Sequence, residues 1–329
     1  MKGHTLDSET RYDGIVDHKS LDQTLDVDVF SSIQQAIDHL GSNSVILVKK
    51  GRYDEKIMVD YPDVTIIGED RDQTVITHNT ASGTMKADGT KYGTFDSASV
   101  IINKQGFTAI NLTFQNHFDY LQEYQKSDDH PTKIDGLQAV SFRTAGESNQ
   151  TVLKNCRFSS YQDTLLLDKG THFLDRCVIE GAVDFIFGAG QAFFDHCDII
   201  SLDRFEQNTN GFVTAASTSV YTAYGFLFYR CHIKKQSNKM GDRTVYLGRP
   251  WHPGGDPEAQ ASVLFYECFL DHHIKDEGWT VMKGFSPMTA RLFEYKNKGP
   301  GTADHVNRRE LTQAEAECVY NVLEEKCKP

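Results

Sequence analysis

Asp163 and Asp184 each follow a cysteine by seven residues, and those cysteines, Cys156 and Cys177, are twenty-one residues apart. The local texts run in parallel: Asn155-Cys156-Arg157-Phe158 leads to Tyr161-Gln162-Asp163, and Arg176-Cys177-Val178-Ile179 leads to Ala182-Val183-Asp184. A strand pattern repeated at this interval implies a chain winding into stacked coils. Equivalent positions on neighbouring coils then lie one strand spacing apart, about 4.8 Å. Two carboxylates at that distance are costly to ionise together, so one keeps its proton or is matched by a cation. Such a pair suits general acid/base chemistry.

The coils that would position this pair are legible along the chain. A polar or charged residue, a cysteine or small apolar residue, a variable residue and an apolar one recur at Asn111–Phe114, Asn155–Phe158, Arg176–Ile179, His196–Ile199, Arg230–Ile233 and Glu267–Leu270. Alternation of this kind is the two-residue period of a strand. The spacing widens after Cys197, to Cys231 and then Cys268, so longer loops are inserted there beside a site. These features predict an all-β right-handed parallel β-helix, with a polar N-terminal arm over 1–29, the solenoid over 30–311 and a C-terminal helix over 312–329. Ile33, Ala36, Ile37 and Leu40 recur at helical spacing between Ser31 or Ser32 and Gly41, predicting an amphipathic helix over the first coil. Thr312-Gln313-Ala314-Glu315 reads as a capping box opening the last helix. The stretches from Thr80 to Ser97 and Gly254 to Gln260 read as loops.

Composition narrows the function. The chain of 329 residues is 39% hydrophobic and 24% charged, as in soluble globular proteins. A net charge of −12 argues against a nucleic-acid partner, which needs a basic stripe, and predicts weak long-range attraction for a dense polyanion. A neutral or partly esterified substrate is less affected. No apolar run is long enough for a transmembrane helix, so no membrane partner is expected. Met1–Asp7 has no apolar stretch of the signal-peptide kind, which favours a cytoplasmic chain over a secreted one whose signal has been removed. Cys156, Cys177, Cys197, Cys231 and Cys268 share one repeat position and read as a column of buried, reduced thiols; Cys318 and Cys327 fall on opposite sides of the last helix. The thirteen histidines form no zinc-spaced cluster, and no phosphate loop or nucleophile elbow occurs, so neither metal nor cofactor is expected.

Five motifs follow in order: Gly51–Glu55, Gln138-Ala139-Val140, Tyr161–Leu165, Gly181–Gly188 and Tyr246–Trp251. Together they resemble the pectin methylesterases, over roughly Val29 to Gly301. The resemblance implies a right-handed parallel β-helix acting, as a monomer, on pectin or methylated oligogalacturonides. It implies Asp184 as nucleophile, Asp163 as acid and then base, and Gln138 and Gln162 as oxyanion donors. Arg249 would hold Asp184 and depress its pKa, and Trp251 would line the sugar cleft. Thr94 matches a threonine that contacts substrate, and Val183, Phe187 and Met282 fall at further cleft-lining positions. Two departures stand out: Leu166 replaces a usual tyrosine, removing an aromatic from the cleft, and Ala182 replaces a hydroxyl residue.

Rival readings keep their place. Gln138 and Gln162 alone could form an amide ladder, Arg249 could be a surface ion-pair residue, and Trp251 or Trp279 could be core. Gly51–Glu55 reads as fold-forming, with the glycine turning and Tyr53 packing. A different β-helix enzyme, a glycoside hydrolase or lyase, would use its carboxylates on the glycosidic bond. A non-catalytic carbohydrate binder would be expected to have lost one of the pair or the arginine, and all three are present.

Overall fold

The computed structural model describes residues 11–19 and 27–329. Among them, three parallel sheets of eleven, eight and seven strands run the length of a right-handed solenoid. Each middle coil gives one strand to each sheet in turn: Thr151–Lys154 to the flank sheet of eleven, Arg157–Ser159 to the back sheet of eight, Leu165–Leu167 to the groove sheet of seven. The next coil repeats this with Thr171–Asp175, Val178–Gly181 and Val183–Gly188.

The repeating unit read from sequence is the corner between flank and back sheets. Its first residue, Asn111, Asn155, Arg176, His196, Arg230 or Glu267, has φ between 48° and 58° in every case. A left-handed residue other than glycine costs about 1 kcal/mol. Each corner is held by its amide: Asn155, Arg176 and His196 donate at 2.9–3.0 Å to carbonyls of the following coil. The cysteine that comes next points inward. Its thiol donates to a carbonyl of the preceding coil, as from Cys177 to Leu153 at 3.3 Å and from Cys268 to Phe228 at 3.2 Å. These are weak bonds, but they satisfy a small buried side chain; at the Asn111 corner the same position holds Leu112, also buried. All seven cysteines are free, and only Cys318 is exposed.

The core is a stack of inward rows. Phe194, Phe228 and Phe265 stack with centroids 4.3 and 4.5 Å apart. Helix Ile33–Leu40 closes the first coil with Ile33, Ala36 and Ile37 buried, and Ser32 is its N-cap. The Glu55 carboxylate also caps it, accepting from the Ile33 and Gln34 amides at 3.0 and 3.1 Å. This gives the Gly51–Glu55 motif its fold-forming part. Gly51 is not a turn, however; it opens a strand, and a side chain there would collide with the ring of His18.

One further expectation differs from what is observed. The arm over 1–29 was expected to lack structure of its own, yet Gly14–Val16 and Asp28–Phe30 are strands that extend the flank sheet. Their alternation is too short to stand out among polar neighbours; residues 1–10 and 20–26 lie outside the described residues. Helix Gln313–Cys327, with its capping box formed, lies along the outer face of the flank sheet. There Ala316, Val319, Leu323 and Cys327 pack on Phe173, Phe193, Leu227 and Leu264. The apolar outer face of those strands is what draws it sideways.

Phe228 is clasped on both faces by rings from neighbouring coils, so Phe228→Ala should cost about 3–5 kcal/mol of stability. Urea denaturation followed by circular dichroism measures this. A loss below about 1 kcal/mol would show that the stack contributes little to stability.

Candidate active site

The groove sheet carries the site because its entry turns are shortest there. Asp163 sits in the 160–164 turn, and only residue 182 separates Val178–Gly181 from Val183–Gly188. The corresponding segments on the flanking coils are long, 79–99 and 117–141 on one side and 202–210 and 236–244 on the other. Short turns thus form a floor and long loops form walls.

Asp163 and Asp184 have φ of 64° and 49°. Aspartate is one of the few residues that tolerates this region. Asp184 lies where the pairing of Val183–Gly188 with Gly211–Ala216 shifts register, a bulge that turns its side chain outward while Phe185 stays in the core. Gln162 bridges Val183, and the Asp163 amide donates to the Val183 carbonyl at 3.0 Å, so the two aspartates are neighbours on adjacent coils. They are only 8% and 6% exposed.

Arg249 reaches Asp184 from beyond the intervening coil. Its Nε and a terminal nitrogen donate to the two carboxylate oxygens at 2.8 and 2.6 Å. Its guanidinium lies over the Phe212 ring, 3.7 Å from the centroid. A bidentate pair stacked on an aromatic holds both position and orientation. The surface ion-pair reading of Arg249 is therefore excluded.

Burial raises both carboxyl pKa values. For Asp184 the Arg249 guanidinium pulls the other way, with a smaller contribution from Arg204. Asp163 is pushed well above the usual carboxylate range, first by burial and then by the charge of Asp184, with Arg249 only partly offsetting. Arg249 thus depresses Asp184 as expected, but desolvation outweighs the guanidinium and the net pKa lies above the usual value, not below it. The ordering survives: both carboxyls are raised, and Asp163 is pushed up further than Asp184.

Gln162 and Gln138 line up one coil after another, the Ala139 amide donating to the Gln162 carbonyl at 3.0 Å. Both are half-buried, and neither side-chain amide has a hydrogen-bond partner among the described residues. They do not form the amide ladder considered above. Trp251 is half-buried against Phe187, with centroids 5.6 Å apart, and Phe187 is 3% exposed. Val183 is buried beside the aspartates. Thr94 lies in the short helix Gly93–Asp96, next to the Phe95 ring that meets Arg143, and Met282 in a tight hairpin with Phe285, whose ring stacks on His252. Neither touches the carboxylate pair. Leu166 is fully buried in the groove floor, and Trp279 is core.

Four residues near the pair went unread in the sequence. Arg204 donates to the Tyr120 hydroxyl at 3.2 Å, Tyr120 stacks on Tyr161 at 5.3 Å, and Phe212 supports Arg249. Arg204 and Tyr120 lie on inserted loops whose folding back carries no periodic signal. Phe212 had a signal, since Phe212 and Tyr246 stack as equivalent positions of successive coils. Arg143 lies in the floor itself, beside Leu166.

Comparisons with known proteins agree with this geometry. A sequence model of the pectinesterase family matches residues 22–316. Pectinesterase A of Dickeya chrysanthemi is 35% identical over 336 residues, covering 95% of this chain and 90% of that protein. The solved pectin methylesterase PemA from Erwinia chrysanthemi superposes with a TM-score of 0.88 at 35% identity, covering 94% of this chain and 95% of that one. A pectin methylesterase solved in complex with a hexasaccharide gives the same TM-score, 0.88, at 34% identity over 94% and 95% of the two chains. The solenoid, the groove and this extent of similarity have one conclusion: the chain belongs to the pectinesterase family, enzymes that demethylate pectin.

Proposed function

We propose that the groove hydrolyses the C6 methyl esters of galacturonate units, with Asp184 as nucleophile. The observation that carries this is the bidentate Asp184–Arg249 pair beside Asp163, a buried carboxyl whose pKa is pushed well above the usual range. An ionised Asp184 oxygen attacks the ester carbonyl carbon. The oxyanion that forms accepts from the free amides of Gln138 and Gln162. As the bond to the methoxy oxygen breaks, Asp163 gives that oxygen its proton and methanol leaves. Asp163, now ionised, takes a proton from water, whose oxygen attacks the acyl carbon. Asp184 departs as carboxylate, and the product acid loses its proton to solvent.

Trp251, half-buried and backed by the buried Leu166 and Phe187, suits the methyl groups and sugar faces of an esterified chain. Thr94, Val183 and Met282 would complete the groove walls. All these residues come from one chain, which supports action as a monomer, with 30–311 as the catalytic unit. A related enzyme holds a hexasaccharide, so methylated oligogalacturonides as well as pectin are taken as substrates. Pectin is too large to enter a cell, and the cytoplasmic expectation rested on Met1–Asp7, outside the described residues. A secreted chain with its signal removed fits that substrate better.

Methanol release from methylated pectin and from short methylated oligomers tests the reaction, with reducing ends counted in parallel. Chain shortening without methanol would assign the groove to a glycosidic-bond enzyme instead. Asp184→Asn should abolish methanol release with the circular dichroism spectrum intact. Gln162→Ala should lower kcat on the order of 10²–10³-fold.

Asp163 makes a further prediction through linkage. The unfolded chain ionises this carboxyl near pH 3.9, by the usual value for aspartate, while the folded protein keeps the proton to higher pH. Its contribution to stability is therefore full below the unfolded pKa and is lost as pH rises through the folded one. Asp163→Asn removes that loss. The variant should melt at higher temperature than the parent at pH 7, with the gain shrinking toward pH 4, and should be inactive. Equal melting temperatures at pH 7 would contradict the raised pKa.

A further inference from the structure

The outward column of the groove sheet is apolar except at one position. Ile101, Arg143, Leu166, Phe187 and Ala215 stand opposite one another on successive coils. Ile101, Leu166, Phe187 and Ala215 belong to one buried apolar cluster with Ala98, Val140 and Ala145. A guanidinium set among them is costly unless its donors are used.

They are poorly used. One terminal nitrogen is 3.5 Å from an Asp168 carboxylate oxygen, and the other lies 3.4 Å from the Phe95 carbonyl. Nε is buried without a partner. The guanidinium rests on the Phe95 ring, 4.7 Å from the centroid, next to Thr94. Arg249, by contrast, makes two bonds of 2.6 and 2.8 Å to Asp184. Arg143 is thus under-satisfied yet not sealed, since 17% of its side chain reaches solvent.

Its register fixes its distance from the chemistry. The strand carrying Arg143 pairs with Leu165–Leu167, which follows Asp163 directly. It lies two strand spacings, about 10 Å, from the Phe187 row beside Trp251. The substrate class offers two groups along its length: methyl esters, which suit the apolar floor, and free carboxylates, which do not. In a protein of net charge −12, a carboxylate needs a local cation to settle in the groove.

We propose that Arg143 is a specificity-determining residue that binds the free carboxylate of a galacturonate unit flanking the ester under attack. The carboxylate takes the terminal guanidinium nitrogens in place of the loose Asp168 and Phe95 contacts. The enzyme then favours esters next to units already demethylated, and its own product primes the next turnover. This rests on the esterase reading of the same groove.

The test compares methanol release from a fully methylated oligogalacturonide with release from the same oligomer partly saponified, as kcat/KM per remaining ester. The parent should prefer the partly saponified oligomer. Arg143→Gln should lower the ratio of the two values by roughly tenfold or more, the worth of one charge-assisted hydrogen bond. Arg143→Lys, which keeps the charge but not the fork, should restore part of it. Asp168→Asn, which removes the competing carboxylate, should raise the ratio and remains informative if Arg143→Gln does not fold. A parent without preference, or equal losses on both substrates in Arg143→Gln, would overturn the proposal and leave Arg143 a brace for the Phe95 loop. Failure of the esterase reading is distinguishable, because no variant would then release methanol from either oligomer.

Discussion

The parallel hydrogen-bond ladder between coils is the interaction on which the groove depends. It places residues from distant parts of the chain side by side: Arg143 next to Leu166, Leu166 next to Phe187, Phe187 next to Ala215. Because side chains alternate across a strand, a slip of one residue would exchange this outward column for core residues such as Leu165 and Ile186. Register is protected at successive coils by the left-handed corner and, at five of them, by the inward thiol. The corner amide fastens one coil to the next, and the thiol donates to a carbonyl of the coil before it.

Against that regular background, the site is a local breach. At Asp184 the ladder shifts register, and both aspartates adopt backbone conformations that most residues avoid. Local strain of this kind persists where surrounding structure over-determines it. Here the flanking coils are regular, and Phe212 and Arg249 brace the outward carboxylate. Burial then acts on two chemically identical groups, and a hydrogen-bonded cation opposes it at only one of them. A single guanidinium thereby divides the pair into a base-like and an acid-like member. The same burial makes any hydrogen bond donated into the groove stronger than it would be in water.

Much of this was readable along the chain, for definite reasons. The cysteine interval exposed the coil, since a solenoid repeats its geometry and must repeat its small inward residue. Asp163 and Asp184 showed themselves by holding the same offset from that column. The helices were visible through caps and apolar spacing, at Ser32 and Thr312. The strands at Gly14–Val16 and Asp28–Phe30 escaped because three residues are too few to show a period. Tyr120 and Arg204 escaped because loops carry no period at all.

The order of residues alone therefore determined the winding, the length of each turn and the identity of the groups that meet on neighbouring coils. These are local or periodic properties, and stacking converts them directly into proximity. Tertiary structure decided the rest: that burial outweighs Arg249 at Asp184, that the last helix lies along the flank sheet, and that Arg143 stands under-satisfied in an apolar floor. Desolvation is the common reason. It depends on everything packed around a group, and no stretch of neighbouring residues contains that sum.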